Sequence, residues 1–244
     1  MIANQDPELS AAVVDRVDTE AYRLLPFRSP VALDVFAYAD RQRDERLAEP
    51  SDDVIQALVT AQSEGALNER EYHNYFSLLM IAGNETTRHT ISSGMLALLQ
   101  HPEQLRLLQE EPERIPVAVE EILRWATPVL HFRRTATRDT ELRGQRIREG
   151  DKVVTWYISA NRDPEMFPDP ERFDVTRTPN DHVTFGPGGP HFCLGAHLAK
   201  LETRILFQEL LPRLDTVEPT GQVERIRSNF VNGIKRMPVR IRTR

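Results

Sequence analysis

The 244-residue sequence contains one cysteine, Cys193. That excludes an internal disulfide, a four-cysteine zinc site and an all-cysteine iron–sulfur cluster, each of which needs several thiolates. No uninterrupted apolar run approaches the roughly 18 residues of a membrane-spanning helix. The opening "MIANQDPELSAAVVD" lacks the basic and apolar regions of a signal peptide, so a cytoplasmic protein is expected. An excess of positive charge is also missing. The net charge is −6, which does not favour nucleic acid as a partner. Arg225 to Arg244 is the exception, with seven basic residues and no acid. It reads as a solvated edge strand guarded by charge. Internal repeats and low-complexity tracts are absent.

What is present divides into a helical first half and a mixed second half. Val31 to Leu47 has apolar residues at helical spacing and stops before Pro50. Ser51 is expected to cap "DDVIQALVTAQ", and Gly65 to end it. Asn68 with Glu71 forms an approximate capping box for a helix over 69–100, a stretch free of proline. Shorter helices are expected around 103–109 and 114–126. After Pro128, "HFRRTATRDTELRGQRIREGDKVVTWY" alternates and is broken by Gly144 and Gly150, the pattern of short antiparallel strands. Asn161 to Pro190 holds six prolines and is irregular. A helix follows over about 194–211, and weak strands close the chain near 222–242. The fold class is α+β, mainly α-helical, read as one domain over 1–244.

"FGPGGPHFCLG" places Cys193 behind a glycine-rich turn and ahead of a helix. A helix N-terminus offers unpaired N–H groups and the positive end of the helix dipole, which favour a thiolate. Glycines at 186, 188, 189 and 195 are expected to permit backbone shapes closed to other residues and close approach of a flat ligand. A lone thiolate in such a loop suits a nucleophile, a redox sensor or a metal ligand. A buried structural cysteine is the bland alternative.

These residues, Phe185, Gly186, Gly188, His191, Cys193 and Gly195 among them, resemble the haem-binding loop of the cytochrome P-450 superfamily. The resemblance implies haem b as cofactor, with Cys193 as axial thiolate and metal ligand and His191 near a haem propionate. Phe185, Gly186, Gly195 and Ala82 join the cofactor-binding set on the same ground. "AGNETT" puts glycine, asparagine and two threonines in mid-helix, against helix propensity. Close packing at Gly83 would explain that, or a local helix opening. Beside the cysteine loop it resembles the family's oxygen-activating acid–alcohol pair, with Glu85 and Thr86 implied as catalytic. "EEILRW" sets Glu121 and Arg124 on one helix face, a spacing also common in surface pairs. By resemblance it is a buried structural pair joined by Arg172 of "DPERFD". "PVLHFRRTATRD" resembles the strand whose arginine, here Arg134, binds a propionate. Val129, Leu130, Phe132, Phe230 and Val231 would line an apolar substrate pocket.

His73, His89, His101, His182 and His197 read as ordinary polar residues, and His131 lies beside the pocket strand. The resemblance covers the C-terminal part of the family fold. It implies an incomplete domain lacking the N-terminal helices, with "MIANQDPE" as the connection after the sixth major helix. "RSNFVNGIKRMPVRI" and "AGNETTR" look most like bacterial members oxidising sterol side chains, terpenoids or branched lipids. The function so implied is a haem-thiolate monooxygenase acting on an apolar small molecule, with dioxygen and electrons from a ferredoxin or similar donor. A haem-binding or partner-binding remnant without this chemistry is the alternative. A cysteine-dependent hydrolase needs a base beside the thiol, and nothing selects His191 for that over haem contact.

Overall fold

The computed structural model describes residues 30–244, with side chains from Asp34 onward. The opening "MIANQDPE" lies outside them. The described residues group into two compact units. The described part of the smaller unit ends at Glu85, and that of the larger runs from Thr86 to Arg244.

The smaller unit contains α1 (Pro30–Ala48), α2 (Val54–Ser63) and the first part of α3 (Glu69–Gln100). Asp53, and not Ser51, caps α2: its carboxylate accepts from the Gln56 N–H at 2.8 Å. Arg46 also donates to it at 2.8 Å, and together these bonds hold its pKa down at about 2. The box at α3 is reciprocal, with Glu71 N–H to Asn68 Oδ1 at 3.0 Å and Asn68 N–H to Glu71 Oε2 at 2.8 Å. Ala39, Val59, Tyr72 and Phe76 form the apolar centre. The buried Tyr72 hydroxyl donates to the Ala39 carbonyl at 2.7 Å, so the centre contains no unpaired hydroxyl there.

In the larger unit, α4 (Pro102–Glu110) and α5 (Ile115–Ala126) follow the rest of α3. The antiparallel pair β1 (His131–Thr135) and β4 (Lys152–Trp156) encloses the hairpin of β2 (Thr140–Leu142) and β3 (Gln145–Ile147). A single turn, α6 (Tyr157–Ala160), leads to the proline-rich segment and then to α7 (Ala196–Leu210). Two further pairs close the unit: β5 (Leu214–Pro219) with β8 (Val239–Thr243), and β6 (Glu224–Arg225) with β7 (Ile234–Arg236). β5 lies before the region where strands were expected. The core joins Leu98, Ile122, Leu123, Phe173, Val175, Phe207 and Leu211, from α3, α5, the proline-rich segment, α7 and the turn just after it.

The close helix crossing is at Gly94, not Gly83. A methyl on Gly94 would stand 2.5 Å from Ile122 Cγ2, whereas one on Gly83 meets nothing within 4 Å. Gly94→Ala should therefore cost about 1–3 kcal/mol through overpacking. Gly83→Ala should be neutral or gain up to about 1 kcal/mol from helix propensity. Urea unfolding of the two variants checks this contrast.

Candidate active site

The cysteine loop is built from short backbone contacts. Gly186 N–H donates to the Val183 carbonyl at 2.9 Å, Phe192 N–H to Gly189 at 3.1 Å, and Cys193 N–H to Phe185 at 2.9 Å. Gly186, Gly188 and Gly189 have φ of 88°, 112° and 77°, a region costly for residues with a side chain. Gly195 departs from expectation. Its φ of −85° is open to any residue, and a methyl there would make only an ordinary contact, 4.0 Å, with Cys193 Sγ. The thiol itself is exposed. Phe185 is half-buried against Phe192, ring centroids 6.5 Å apart, and His191 is exposed beside them.

A buried polar network holds the segment entering this loop. Asn161 is fully buried. Its amide donates to Thr127 Oγ1 at 2.9 Å and Thr184 Oγ1 at 3.0 Å, and its Oδ1 accepts from the Val183 N–H at 2.8 Å. Each threonine then donates to the end of α5, Thr127 to the Arg124 carbonyl at 2.7 Å and Thr184 to Leu123 at 2.9 Å. Fully satisfied networks of this kind fix geometry, because any slip strands a desolvated group. Next to it, His182 bonds Glu120 at 3.0 Å, and Lys200 reaches the same carboxylate at 2.8 Å. Burial acts to raise the Glu120 pKa, but these two partners outweigh it and hold it below the usual range.

Glu121 and Arg124 lie behind the loop with side chains wholly buried. Arg124 Nε donates to Glu121 Oε2 at 2.7 Å and Nη2 to Oε1 at 2.8 Å. Its remaining N–H groups go to the carbonyls of Asn161, Pro170 and Arg172 at 2.7, 3.0 and 3.2 Å. The guanidinium thus spends all five of its donors. The third arginine is Arg177, not Arg172. Arg177 Nε lies 3.2 Å from Glu121 Oε2, an ion contact outside hydrogen-bond alignment, with its side chain 9% exposed. The Arg172 side chain is 65% exposed and lies 4.0 Å from Asp174. Only its carbonyl serves the cluster.

The apolar residues expected to line a pocket lie together. Val129 bridges Val231, and Leu130 N–H donates to the Phe230 carbonyl at 2.9 Å. Phe132 and Phe230 meet edge-on at 5.6 Å, both about 40% exposed. His131 packs edge-on against Trp156 at 4.5 Å. Arg134, on the same face of β1 as Phe132, lies over its ring at 5.7 Å. Ala82 and Glu85 belong to the smaller unit, and Thr86 opens the larger. The helix is unbroken through them, and Thr90 Oγ1 bonds back to the Thr86 carbonyl at 3.0 Å.

His89 and His182 are not ordinary surface residues. His89 is fully buried, and a methyl on Gly233 would come within 2.6 Å of its ring. Asp40, Glu69 and His73 form a separate metal-like cluster in the smaller unit. Arg43 lies 3.1 Å from the same Asp40 oxygen that bonds His73, which opposes a dication there.

Sequence reasoning missed Arg177, Asn161 and Tyr157. Arg177 stands five residues past Arg172, and only the packed path of the proline-rich segment decides between them. Asn161 sits in "SANRDP", which by itself reads as a loop.

A flat, dicarboxylate macrocycle ligated by sulfur needs an accessible thiol, cations and apolar edges. The larger unit offers exposed Cys193 and His191, half-buried Arg134, the rings of Phe132 and Phe192, and glycines 188 and 189, whose Cβ positions meet nothing. These residues fit haem b. The cytochrome P450 family profile matches residues 32–241. A methyl-branched lipid omega-hydroxylase of Mycobacterium bovis is 48% identical over 86% of this chain and 49% of its own length. A steroid C26-monooxygenase of Rhodococcus jostii is 41% identical over 100% of the chain and 48% of its own. The chain thus spans about half the length of these curated relatives. Among solved structures, a Mycobacterium marinum cytochrome P450 in complex with pseudoionone has a TM-score of 0.81 at 46% identity, covering 89% of this chain and 54% of that one. With its thiol loop, its buried Glu–Arg pair and a profile match over most of its length, the chain belongs to the cytochrome P450 family, whose members use haem b.

Proposed function

We propose that this chain carries the haem-holding part of a monooxygenase that inserts one oxygen atom from dioxygen into a C–H bond of an apolar substrate. The observation that carries the reading is the exposed Cys193 thiol on a loop whose glycines take shapes that only glycine adopts cheaply. Haem b, held by Cys193, would supply the oxygen activation, and a thiolate ligand would favour it by electron donation. The chain's own residues do the rest. Arg134 and His191 would bind the haem carboxylates, with Phe185, Gly186 and Gly195 close around the ring, and the resemblance adds Ala82 to the cofactor set. Glu85 would pass protons through its carboxyl group, and Thr86 would hold the water that relays them. Val129, Leu130, Phe132, Phe230 and Val231 would exclude water and grip an apolar molecule. The relatives' names, a methyl-branched lipid hydroxylase and a steroid monooxygenase, support a sterol, terpenoid or fatty acyl substrate. A ferredoxin or similar donor would supply the electrons.

The test is turnover under ¹⁸O-labelled dioxygen, with haem, a ferredoxin–reductase pair and a steroid or branched lipid. Label in one hydroxyl of the product is expected. Thr86→Ala should keep haem and substrate binding while sending most electrons to hydrogen peroxide. Glu85→Gln should slow product formation about 10²-fold or more, the scale of a lost general acid. Haem binding without labelled product would point to a haem-binding protein without this chemistry. Unchanged coupling in Thr86→Ala would overturn the role given to that residue.

A further inference from the structure

We infer that the Tyr157 hydroxyl is a further binding group, donating a hydrogen bond to a carboxylate seated between Arg134 and the cysteine loop. The inference rests on the haem reading above, since the haem propionates are the carboxylates it would meet.

Tyr157 is only 4% exposed. Backbone contacts fix it where β4 passes into α6, with its N–H donating to the Leu130 carbonyl at 2.9 Å. Its ring packs against Phe132 at 5.8 Å, and the Arg134 guanidinium lies over the same Phe132 ring at 5.7 Å. The hydroxyl end reaches the cysteine loop. A methyl on Gly186 would stand 3.7 Å from the Tyr157 oxygen and 3.6 Å from the His191 carbonyl. The missing side chain at Gly186 therefore leaves the hydroxyl uncovered.

Among the described residues, this hydroxyl has no hydrogen-bond partner. Buried tyrosines ordinarily find one, as Tyr72 does in the smaller unit. The residue is buried but its oxygen is not sealed from solvent, so a partner from outside the chain can reach it. Burial raises the Tyr157 pKa, and the nearby Arg134 only partly opposes that, so the group stays protonated and donates. A neutral donor and a permanent cation thus both flank the Phe132 ring, with the cysteine loop at the hydroxyl end, a set that suits an anion with two oxygens.

The experiment is titration of the wild-type chain and Tyr157→Phe with haem b, followed by absorbance and by quenching of intrinsic fluorescence. Both are repeated with the dimethyl ester of the same iron porphyrin, which lacks carboxylates. Tyr157→Phe keeps the ring, and its urea midpoint checks that the fold is unchanged. The variant should bind haem about tenfold more weakly, the scale of one hydrogen bond to a charged group. The two proteins should bind the ester alike. Equal affinity for haem itself would overturn the inference, and so would an equal loss with both porphyrins, which would mean contact with the ring and not the carboxylate. Failure of the wild type to bind haem would instead overturn the reading underneath, and this inference with it.

Discussion

Cys193→Ala should abolish the long-wavelength Soret band that the ferrous carbon monoxide complex of the haem-loaded wild type is expected to show. The effect is all-or-none, because Cys193 is the chain's only thiol and no second sulfur can substitute. The variant should nonetheless fold. The Cys193 backbone makes the loop's contacts, N–H to Phe185 at 2.9 Å and carbonyl to the Ala196 N–H at 3.2 Å, and alanine preserves both. The exposed side chain is not part of the core. Two readouts separate chemistry from folding. Thiol titration should find one reactive group in the wild type and none in the variant, and far-ultraviolet circular dichroism should be the same for both. A wild-type band that persists in Cys193→Ala would remove Cys193 as the ligand. Loss of both band and helicity would make Cys193 a structural residue, the bland alternative for a lone cysteine.

What was legible in the sequence was mostly local. The α3 helix, Glu69–Gln100, has the limits read from it, because Asn68 and Glu71 cap one end and Pro102 stops the other. The short antiparallel strands between His131 and Trp156 followed from alternation and from Gly144 and Gly150, both with φ above 70° in the structure. The cap of α2 was misplaced because "SDD" offers three good capping residues in a row. Arg46, seven residues before Asp53, adds a bond that favours the last of them. The site was legible where a motif is dense and invisible where it depends on packing. "FGPGGPHFCLG" carries its glycines in sequence. Asn161, Thr127 and Thr184 are far apart in the chain, and each is an unremarkable polar residue until the fold joins them.

The largest stability effects should fall on the buried ion cluster, and they should rank the arginines by geometry. Glu121 accepts from Arg124 through both oxygens, and also from the Asp174 N–H at 2.9 Å and Asn180 Nδ2 at 3.1 Å. Removing Arg124 would leave a buried carboxylate without its main counter-charge and strand the three carbonyls that the guanidinium serves. Removing one partner of such a pair costs about 3–5 kcal/mol, whereas an exposed pair contributes about 0–1 kcal/mol. Arg124→Ala and Glu121→Ala should therefore lose most of a marginal domain's stability and yield little folded protein. Arg177→Ala should fall between these extremes. Its guanidinium still meets the Pro168 carbonyl at 2.7 Å and those of Asp169 and Arg172 at 3.1 and 3.0 Å, but its contact with Glu121 is less well aligned. Arg172→Ala should be close to neutral, because only the carbonyl of that residue is used and alanine keeps it. Conservative partners keep the series readable where alanine fails to fold. Arg124→Lys and Glu121→Gln each preserve part of the bonding, and their unfolding midpoints can be measured against Arg172→Ala and Arg177→Ala. A cost at Arg172 equal to that at Arg124 would restore the motif-based assignment and make the Arg177 contact incidental. Wild-type stability in Arg124→Lys and Glu121→Gln alike would mean that the cluster does not hold the core behind the cysteine loop.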